Sequence, residues 1–321
     1  MPSRPSSADR SLRLVLPATS ANLGPAFDAA ALALDFCLHV HAERAPDFFI
    51  TAEGRDAHIC ARMDNHLIVS TYCEVLESEN RKIAPLRIHI KNEIPIGKGC
   101  GSSAAARLAG IALAVHFGHL RWKDDRIVGE ASMREHHPDN ASACWMGGLT
   151  VARMANQVQA QVVEVKPKGN WPLLLAVPEA PLSTEQARRA LPFQYSRADA
   201  VTNIQNSMLL LSVFTQNRQD LLPFALEDRI HQPYRAPLCP LLPAIKELTG
   251  DSGILGAALS GAGPSVLVFL DPKVPVKKAR QRVATHLTKR RLVAELMVTK
   301  IANHGAREGH DWRKLHPPSK K

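Results

Sequence analysis

The sequence predicts an α+β protein with two domains, and three observations lead to that prediction. The chain has 321 residues, 45% of them apolar, so it can bury one large core or two of ordinary size. Strand patterns and helix patterns alternate along it, and a strand, a glycine-rich loop and a buried helix follow one another in the first half. Residues 178–181 form a proline-bearing junction between two sets of elements. We therefore expect a first domain at residues 12–178 and a second at 179–306.

The first domain begins with extended segments and ends with further strands. Asn65 is the expected N-cap of its first helix, because a short polar side chain can accept a backbone hydrogen bond there. A segment that is apolar nearly all round closes on Gly118, which predicts a buried helix with a glycine C-cap. The predicted elements, in chain order, are strands 12–16 and 29–41, helix 65–79, strand 86–90, helix 104–117 and strands 149–154, 158–165 and 171–177.

The second domain is predicted to mix helices with strands, and both chain ends are polar. Residues 1–11 are expected to be disordered, and so is the basic tail 307–321, since each is short of apolar side chains. The predicted elements are helices 184–191, 201–214 and 240–248, strands 254–258 and 265–270, a cationic helix from residue 276 and a strand at 292–300.

Composition argues against several classes of function. Lys and Arg number 40 against 30 Asp and Glu, for a formal charge of +10, and residues 277–321 contain that whole excess. This basic end offers only Trp312 for base stacking, so we expect no nucleic-acid partner. The cysteines form no CxxC pair, and no histidine spacing typical of a transition-metal site occurs. A secretory signal and an apolar run of about 18 residues are both missing, which predicts a cytoplasmic protein with no membrane partner.

The most informative segment is IPIGKGCGSSAAA, residues 94–106. Its glycines let the backbone turn tightly and approach a ligand, while Ser102 and Ser103 stand where the next helix begins. Free N–H groups and the positive end of the helix dipole make such a helix start an anion site, and phosphate is the expected occupant. The segment is neither a Walker P-loop nor a Rossmann fingerprint. A glycine-rich turn with a serine cap also occurs without ligand, so the loop alone leaves a structural role open.

The same segment resembles the phosphate loop of the GHMP kinase superfamily, P-x-G-x-G-L-G-S-S-A-A, with cysteine in place of the usual leucine. Two further signatures stand in the superfamily's order, PATSANLGPAFDAAALAL at residues 17–34 and LGAALSGAGPSVLVF at 255–269. The resemblance implies a first domain like ribosomal protein S5, a ferredoxin-like second domain, and ATP as co-substrate. The residues that it assigns to ATP and phosphate are Pro95, Gly97, Lys98, Gly99, Cys100, Gly101, Ser102, Ser103, Gly261 and Gly263.

Shorter matches are similar to one branch of the superfamily, the homoserine kinases. EHHPDN at residues 135–140 is close to the branch's EGHPDN, STEQARRALP at 183–192 resembles S-T-x-x-A-R-x-x-L-P, and 228–235 fits D-x-I-x-x-P-x-R. The implied substrate is L-homoserine, a small zwitterion with a free hydroxyl. Ala26 stands where the branch usually has glycine, which predicts reduced backbone freedom near Asp28.

The branch also implies a role for each polar side chain. Asp28 would bind the ammonium of homoserine, and Arg188 and Arg235 would bind its carboxylate, because a guanidinium donates two parallel hydrogen bonds. Without the resemblance both arginines would be assigned to the surface, and Arg189 is expected to point away. The residues implied around the reacting hydroxyl are Asn22, Asp139 and Asn140. The aspartate among them either acts as a base or only positions the hydroxyl.

Magnesium completes the implied site. Ser103 and Glu130 would hold Mg²⁺ between the β- and γ-phosphates, since a hard cation prefers hydroxyl and carboxylate oxygen. From the residues alone, Ser103 can also be a helix cap and Glu130 a solvated helical carboxylate. Two other functions stay open: a GHMP kinase for mevalonate, a sugar or another alcohol, and a relative that binds ligand without catalysis. A homodimer is also compatible with the resemblance.

Overall fold

The computed structural model describes residues 11–315 of the chain. Residues 1–10 and 316–321 lie outside that range, so the expected disorder stays a prediction there, but it is wrong for Ser11, which begins a strand. No helix within the described range is long and apolar enough to span a bilayer.

The first domain is built on a sheet of six strands. They are β1 (Ser11–Ala21), β2 (Ala30–Arg44), β3 (Phe49–Gly54), β4 (Leu86–Asn92), β5 (Leu149–Met154) and β6 (Ala160–Val165). Their order is β3-β4-β2-β5-β6, and β1 pairs with β2. All pairs are antiparallel except β3 with β4. Along β4 buried and exposed side chains alternate strictly, because successive residues of a strand point to opposite faces and only one face lies on the core.

Five helices accompany this sheet. They are α1 (Ala57–Cys60), α2 (Leu67–Ser78), α3 (Ser102–Phe117), α4 (Asp124–Glu135) and α5 (Asp139–Met146). The predicted buried helix is α3, which ends at Gly118. It packs closely on α2, since a Cβ added at Gly110 would lie 2.5 Å from the carbonyl oxygen of Ile68. The N-cap of α2 is His66 and not the expected Asn65, whose φ of 55° places it in the turn before the helix.

The second sheet has four strands, each antiparallel to its neighbours. They are β7 (Leu173–Val177), β8 (Ile254–Leu259), β9 (Val266–Leu270) and β10 (Glu295–Thr299), in the order β10-β7-β9-β8. Strand β7 was expected in the first domain, but its backbone pairs with β9 and β10. The boundary expected at residue 178 therefore falls one strand too late.

Six helices surround the second sheet, and all the predicted ones are found. They are α6 (Thr184–Arg189), α7 (Arg197–Gln216), α8 (Leu222–Ala225), α9 (Gln232–Arg235), α10 (Leu241–Lys246) and α11 (Val276–Lys289). On β7, Leu173 and Leu175 face a core shared with the first domain, while Leu174 and Ala176 face a second core under α10 and α11. The shared core joins the two sheets into one body.

The expected disorder from residue 307 is wrong for the part of the tail that the structure describes. A 3-10 helix at Ala306–Glu308 leads into α12 (His310–Leu315). Trp312 is only 4% exposed, and its ring meets that of Trp145 edge to face at 4.9 Å. A single large aromatic side chain therefore anchors a segment whose composition is otherwise polar, because the tryptophan surface buried outweighs the cost of ordering the chain.

Candidate active site

The motifs predicted from the sequence meet in one cleft between the two domains. The predicted site residues that line it are Asn22, Asp28, Gly97, Gly99, Cys100, Gly101, Ser102, Ser103, Asp139, Asn140, Arg188, Arg235, Gly261 and Gly263. Glu135 and His137 line it as well, although neither was assigned a role. Three predicted residues do not line it, and these are Pro95, Lys98 and Glu130.

The phosphate loop is shaped by close backbone approaches that only glycine permits. Gly99 and Gly101 have φ of 77° and 70°, a left-handed conformation that L side chains rarely adopt. A Cβ at Gly99 would lie 2.2 Å from the carbonyl oxygen of Ser260, and one at Gly101 would lie 1.9 Å from Thr19 Oγ1. The loop leads directly into α3, whose first backbone N–H groups have no intrahelical partner. This combination can hold the oxygens of a phosphate chain.

The C-terminal glycine loop is fastened to the phosphate loop from the other domain. Ser260 Oγ donates to the Gly99 carbonyl at 2.8 Å, and the Gly261 N–H donates to the Ala21 carbonyl at 3.1 Å. Lys98 was expected at the phosphates, but its ammonium donates to the backbone carbonyl of Glu179 instead. That side chain therefore ties the loop to the interdomain junction. Pro95 is buried and does not line the cleft.

Cys100 fills the position that is usually leucine, and it behaves as an apolar residue. Burial raises the pKa of its thiol to about 12, so the group stays protonated at neutral pH. It contributes packing and a backbone N–H to the loop, not a nucleophile.

Glu135, and not Glu130, lies beside Ser103. Ser103 Oγ donates to Glu135 Oε1 at 2.6 Å, and Arg107 Nε donates to the same oxygen at 2.6 Å. Residues 130 and 135 differ by five positions on α4, so their side chains point about 140° apart around the helix. The carboxylate of Glu130 faces away from the cleft into an ion-pair cluster. Its partners there are Arg134 and, at 3.2 Å, Arg126.

The opposite end of the cleft contains the charged side chains that were predicted to bind the substrate. Arg188 Nη2 donates to both carboxylate oxygens of Asp28, at 2.9 and 3.0 Å. Burial, and then the Asp139 carboxylate, raise the pKa of Asp28 above its usual range, although Arg188 acts in the opposite direction. Asp28 itself has φ of 55°, whereas Ala26 is not among the residues with positive φ, so alanine causes no backbone strain there.

Arg235 is 1% exposed and is held by two acceptors. Its Nε donates to the Ala187 carbonyl at 3.1 Å, and its Nη1 lies 3.2 Å from His231 Nδ1. Burial, followed by repulsion from Arg188, lowers the pKa of Arg235 to about 10, which leaves it charged at neutral pH. Arg189 points away, as expected, and pairs with Glu185 on the surface.

A third group of polar side chains lies between the phosphate loop and these charges. Asn140 Oδ1 accepts from Thr19 Oγ1 at 2.6 Å, and the Asn140 N–H donates to Asp139 Oδ1 at 2.6 Å. Asn22 bridges two loops, because its Nδ2 donates to the Gly261 carbonyl at 2.8 Å and its Oδ1 accepts from the Asp28 N–H at 2.9 Å. A primary amide has two hydrogens on nitrogen, so one of them stays available to the cleft.

His137 is a functional candidate that the motif itself contained. Its Nδ1 lies 2.5 Å from Asp139 Oδ1, and the side chain is almost fully buried. Burial disfavours the imidazolium, but the hydrogen bond and charge of Asp139, with the charge of Asp28, raise the pKa of His137 above its usual value. The two carboxylates therefore favour the protonated form of this histidine.

A second cavity, of about 510 Å³, opens from the phosphate loop and was not predicted. It shares Gly97, Ser102 and Ser103 with the cleft, and the rest of its wall is mostly apolar. Its remaining lining residues are Leu38, Ile59, Cys60, Arg62, Asp64, Asn65, His66, Leu67, Ile68, Ile90, Asn92, Ile94, Ile96 and Ala106. The first domain supplies all of them from separate elements, so no single stretch of sequence could have indicated this cavity.

Comparison with known proteins agrees with this arrangement. Family models match the chain at residues 66–148, described as the GHMP kinases N terminal domain, and at 211–289, described as GHMP kinases C terminal. A homoserine kinase of Solibacter usitatus is 42% identical over 258 residues, which cover 80% of this chain and 84% of the relative. One of Deinococcus radiodurans is 32% identical over 292 residues, 91% of this chain and 95% of the relative.

The fold is also that of a solved relative. The crystal structure of homoserine kinase from Cytophaga hutchinsonii matches with a TM-score of 0.79 at 23% identity, covering 94% of this chain and 98% of that one. The prediction of a two-domain α+β GHMP kinase fold is thereby confirmed, as is the prediction of an ATP-dependent small-molecule kinase. With relatives above 30% identity matched over most of its length, the chain belongs to the homoserine kinase family of the GHMP kinase superfamily.

Proposed function

We propose that this protein transfers the γ-phosphoryl group of ATP to the side-chain hydroxyl of L-homoserine and so forms O-phospho-L-homoserine for threonine biosynthesis. The relatives named above support this assignment. The observation that carries it is the ion pair between Asp28 and Arg188, with Arg235 beside it.

The ion pair is complementary to the head of an amino acid. An α-amino acid carries an ammonium and a carboxylate on the same carbon atom, and Asp28 and Arg188 place the opposite charges side by side. A bound zwitterion can therefore lie against the pair so that each charge meets its opposite, with Arg235 donating further to the carboxylate. An alcohol without these two charges would leave the partly buried groups without new partners, which makes the site selective.

The reacting hydroxyl would lie between this charged end and the phosphate loop. Phosphoryl transfer needs positioning and charge stabilisation more than covalent help from the protein. We assign Asn22, Asp139 and Asn140 to the positioning of the hydroxyl, because their side chains line the cleft at this level. Asp139 already accepts from His137 and from the Asn140 N–H, and this favours a positioning role over that of a strong base.

The nucleotide would extend along the phosphate loop with its adenosine in the 510 Å³ cavity. Apolar walls that continue into a polar loop suit a base and ribose followed by phosphates.

A hydroxyl and a carboxylate in contact, Ser103 with Glu135, are the oxygen donors that Mg²⁺ prefers. Bound there, Mg²⁺ would neutralise charge on the phosphates. We therefore assign Glu135, and not Glu130, to the proposed metal site.

All six cysteines are free thiols, which suits the cytoplasm as the location of the protein.

The test is an ADP-release assay with a set of alcohols that differ by one group. Homoserine should exceed serine by roughly 100-fold in kcat/KM, since the shorter side chain displaces the hydroxyl by about 1 Å or more. Removing the ammonium gives 4-hydroxybutyrate, and removing the carboxylate gives 3-aminopropan-1-ol; both should be poor substrates. Mevalonate is included in the set because it is the substrate of another branch of the superfamily. Equal use of homoserine and 4-hydroxybutyrate would contradict the assignment and favour a kinase for simple alcohols.

Two arginine variants, one of them a control, test the proposed binding of the substrate carboxylate. Arg235→Leu should raise the homoserine KM by roughly tenfold to 100-fold, the equivalent of losing a buried charged hydrogen bond of about 1.5–3 kcal/mol, and should leave the ATP KM unchanged. Arg189→Leu changes an exposed arginine of the adjacent helix and should alter neither constant. Equal effects of the two substitutions would remove Arg235 from the substrate site.

A further inference from the structure

The aromatic ring of Phe27 touches both arginines at the substrate end of the cleft. The guanidinium carbon of Arg235 lies 5.2 Å from the ring centroid, and that of Arg188 lies 5.6 Å from it. The imidazole of His231 stacks on the same ring at 5.2 Å between centroids, with 26° between the planes. One phenylalanine therefore contacts both arginines assigned to the carboxylate and the histidine that holds one of them.

The histidine in this stack is fixed by its own hydrogen bonds. His231 is fully buried, and burial lowers its pKa to about 4, so the imidazole is neutral at physiological pH. Its Nε2 lies 2.8 Å from the Gly24 carbonyl, which identifies Nε2 as the protonated atom, and its Nδ1 then accepts from Arg235. The ring of Phe27 thus rests on a rigid surface that also orients Arg235.

The two arginines need such support because they repel each other. Each carries a positive charge, and only Arg188 is paired with a carboxylate, that of Asp28. The hydrogen bonds described for Arg235 go to a carbonyl and a neutral imidazole. The face of an aromatic ring is electronegative and attracts a guanidinium at these distances. Phe27 offers that attraction to both cations before any substrate carboxylate arrives.

We propose that Phe27 is a positioning residue for substrate specificity, whose ring holds Arg188 and Arg235 at the spacing that receives the carboxylate of the substrate. The inference rests on the proposed function, since the carboxylate is that of homoserine or a close analogue. It adds a residue outside the charged set, because phenylalanine has no polar atom with which to touch the substrate.

The first experiment compares Phe27→Leu with the wild-type protein on three acceptors. The substitution should raise the homoserine KM about tenfold, and it should leave kcat and the ATP KM within about twofold. 4-Hydroxybutyrate, which keeps the carboxylate, should lose kcat/KM by the same factor. 3-Aminopropan-1-ol, which lacks it, should react as it does with the wild-type protein. Phe27→Tyr keeps an aromatic face and should restore the homoserine KM.

The second experiment isolates the electrostatic part of the effect from packing. Phenylalanine with one, two or three ring fluorines, inserted at position 27 alone, weakens the negative face stepwise with little change in volume. The logarithm of the homoserine KM should rise with each fluorine. The same series at Phe36, a buried residue of the shared core, is the control and should leave the KM unchanged.

The outcomes separate the inference from the function on which it rests. If 3-aminopropan-1-ol loses as much activity as homoserine in Phe27→Leu, or if the fluorine series is flat, the ring only supports the loop around Asp28 and the proposal is wrong. If the wild-type protein fails to phosphorylate homoserine at all, the proposed function is wrong and this inference is overturned with it.

Discussion

Two glutamates on α4 differ in their contacts and therefore in the role that each is expected to have. Glu135 contacts Ser103 in the cleft, whereas Glu130 sits in an ion-pair cluster with Arg126 and Arg134. Glu135→Gln should raise the Mg²⁺ concentration needed for half-maximal turnover by at least about tenfold, because an amide replaces the anionic ligand. Titration of the initial rate with Mg²⁺ at saturating ATP and homoserine measures this change.

The matched variant Glu130→Gln should behave in the opposite way. It should leave the Mg²⁺ dependence unchanged and lower the free energy of unfolding by about 1–3 kcal/mol, because two partly buried arginines lose their anionic partner. Denaturant unfolding measures that loss. If Glu130→Gln shifted the Mg²⁺ dependence while Glu135→Gln did not, the metal assignment from the sequence would be restored.

The buried histidine of the HPDN loop gives a pH dependence with a defined sign. The pKa of His137 is raised in the folded protein, so its contribution to stability is fully present below about pH 6.5, the unfolded value, and is lost as the pH rises through the folded pKa. The difference in unfolding free energy between the wild-type protein and His137→Asn should therefore be larger at acidic than at alkaline pH.

A second histidine supplies the control for this trend. Burial lowers the pKa of His66, so its folded form binds protons less readily than the unfolded chain. The stability difference for His66→Asn should shrink as the pH falls below about 6.5. Unfolding curves of the three proteins at several pH values test both signs together, and parallel trends for the two variants would contradict the raised pKa of His137.

Sequence patterns identified most of the residues that line the cleft but not the direction of each side chain. Arg188 and Arg235 were identified through short motifs around them, and both line the cleft. The resemblance implied Glu130 as the metal ligand, whereas Glu135 is the carboxylate that lies beside Ser103. No periodicity in this polar helix indicates which of its faces meets the phosphate loop. Thr19, which orients Asn140, stands inside a recognised motif and could have been found by asking what holds the amide.

At the scale of elements, the phosphate loop depends on its contact with the C-terminal glycine loop. Gly97 and Gly99 have similar left-handed φ values, 69° and 77°, so alanine would be strained at either position. Only at Gly99 would the new Cβ also collide with the other loop, 2.2 Å from the Ser260 carbonyl oxygen; at Gly97 the nearest atom, on Pro181, is 3.6 Å away. Gly99→Ala should lower the melting temperature clearly more than Gly97→Ala.

Thermal melting of the two variants under one buffer condition checks this expectation. The common backbone strain of about 1–2 kcal/mol cancels in the comparison, and the remaining difference reports the collision between loops. Equal melting temperatures would mean that the C-terminal loop moves aside without cost.

For the whole molecule, the shared core predicts that the two domains unfold together. Leu173 and Leu175 of β7 and Phe269 of β9 belong to the same buried cluster as the strands of the first sheet. Because unfolding one domain would expose the apolar surface of the other, denaturant unfolding followed by far-ultraviolet circular dichroism and by tryptophan fluorescence should give coincident transitions. Two resolved transitions would show that the domains are energetically independent.

The limits of sequence-based prediction at this scale lie in contacts between distant segments. The element order and the fold class follow from local patterns, but β7 precedes the predicted junction and still joins the second sheet. The 510 Å³ cavity likewise combines side chains of β2, β4, α2 and α3, which no local pattern connects. The helix at Trp312 depends on a ring 167 positions earlier in the chain, at Trp145.

The ion pair between Asp28 and Arg188 also affects how the two substrates arrive. Opposite charges 2.9 Å apart cancel each other's field within a few ångströms, and homoserine carries no net charge at neutral pH. Its capture should then depend on collision and local fit, with an association rate that hardly responds to added salt. ATP is a polyanion approaching a chain of formal charge +10, so dissolved ions should slow its arrival. Added salt should thus lower the association rate of ATP and leave that of homoserine nearly unchanged.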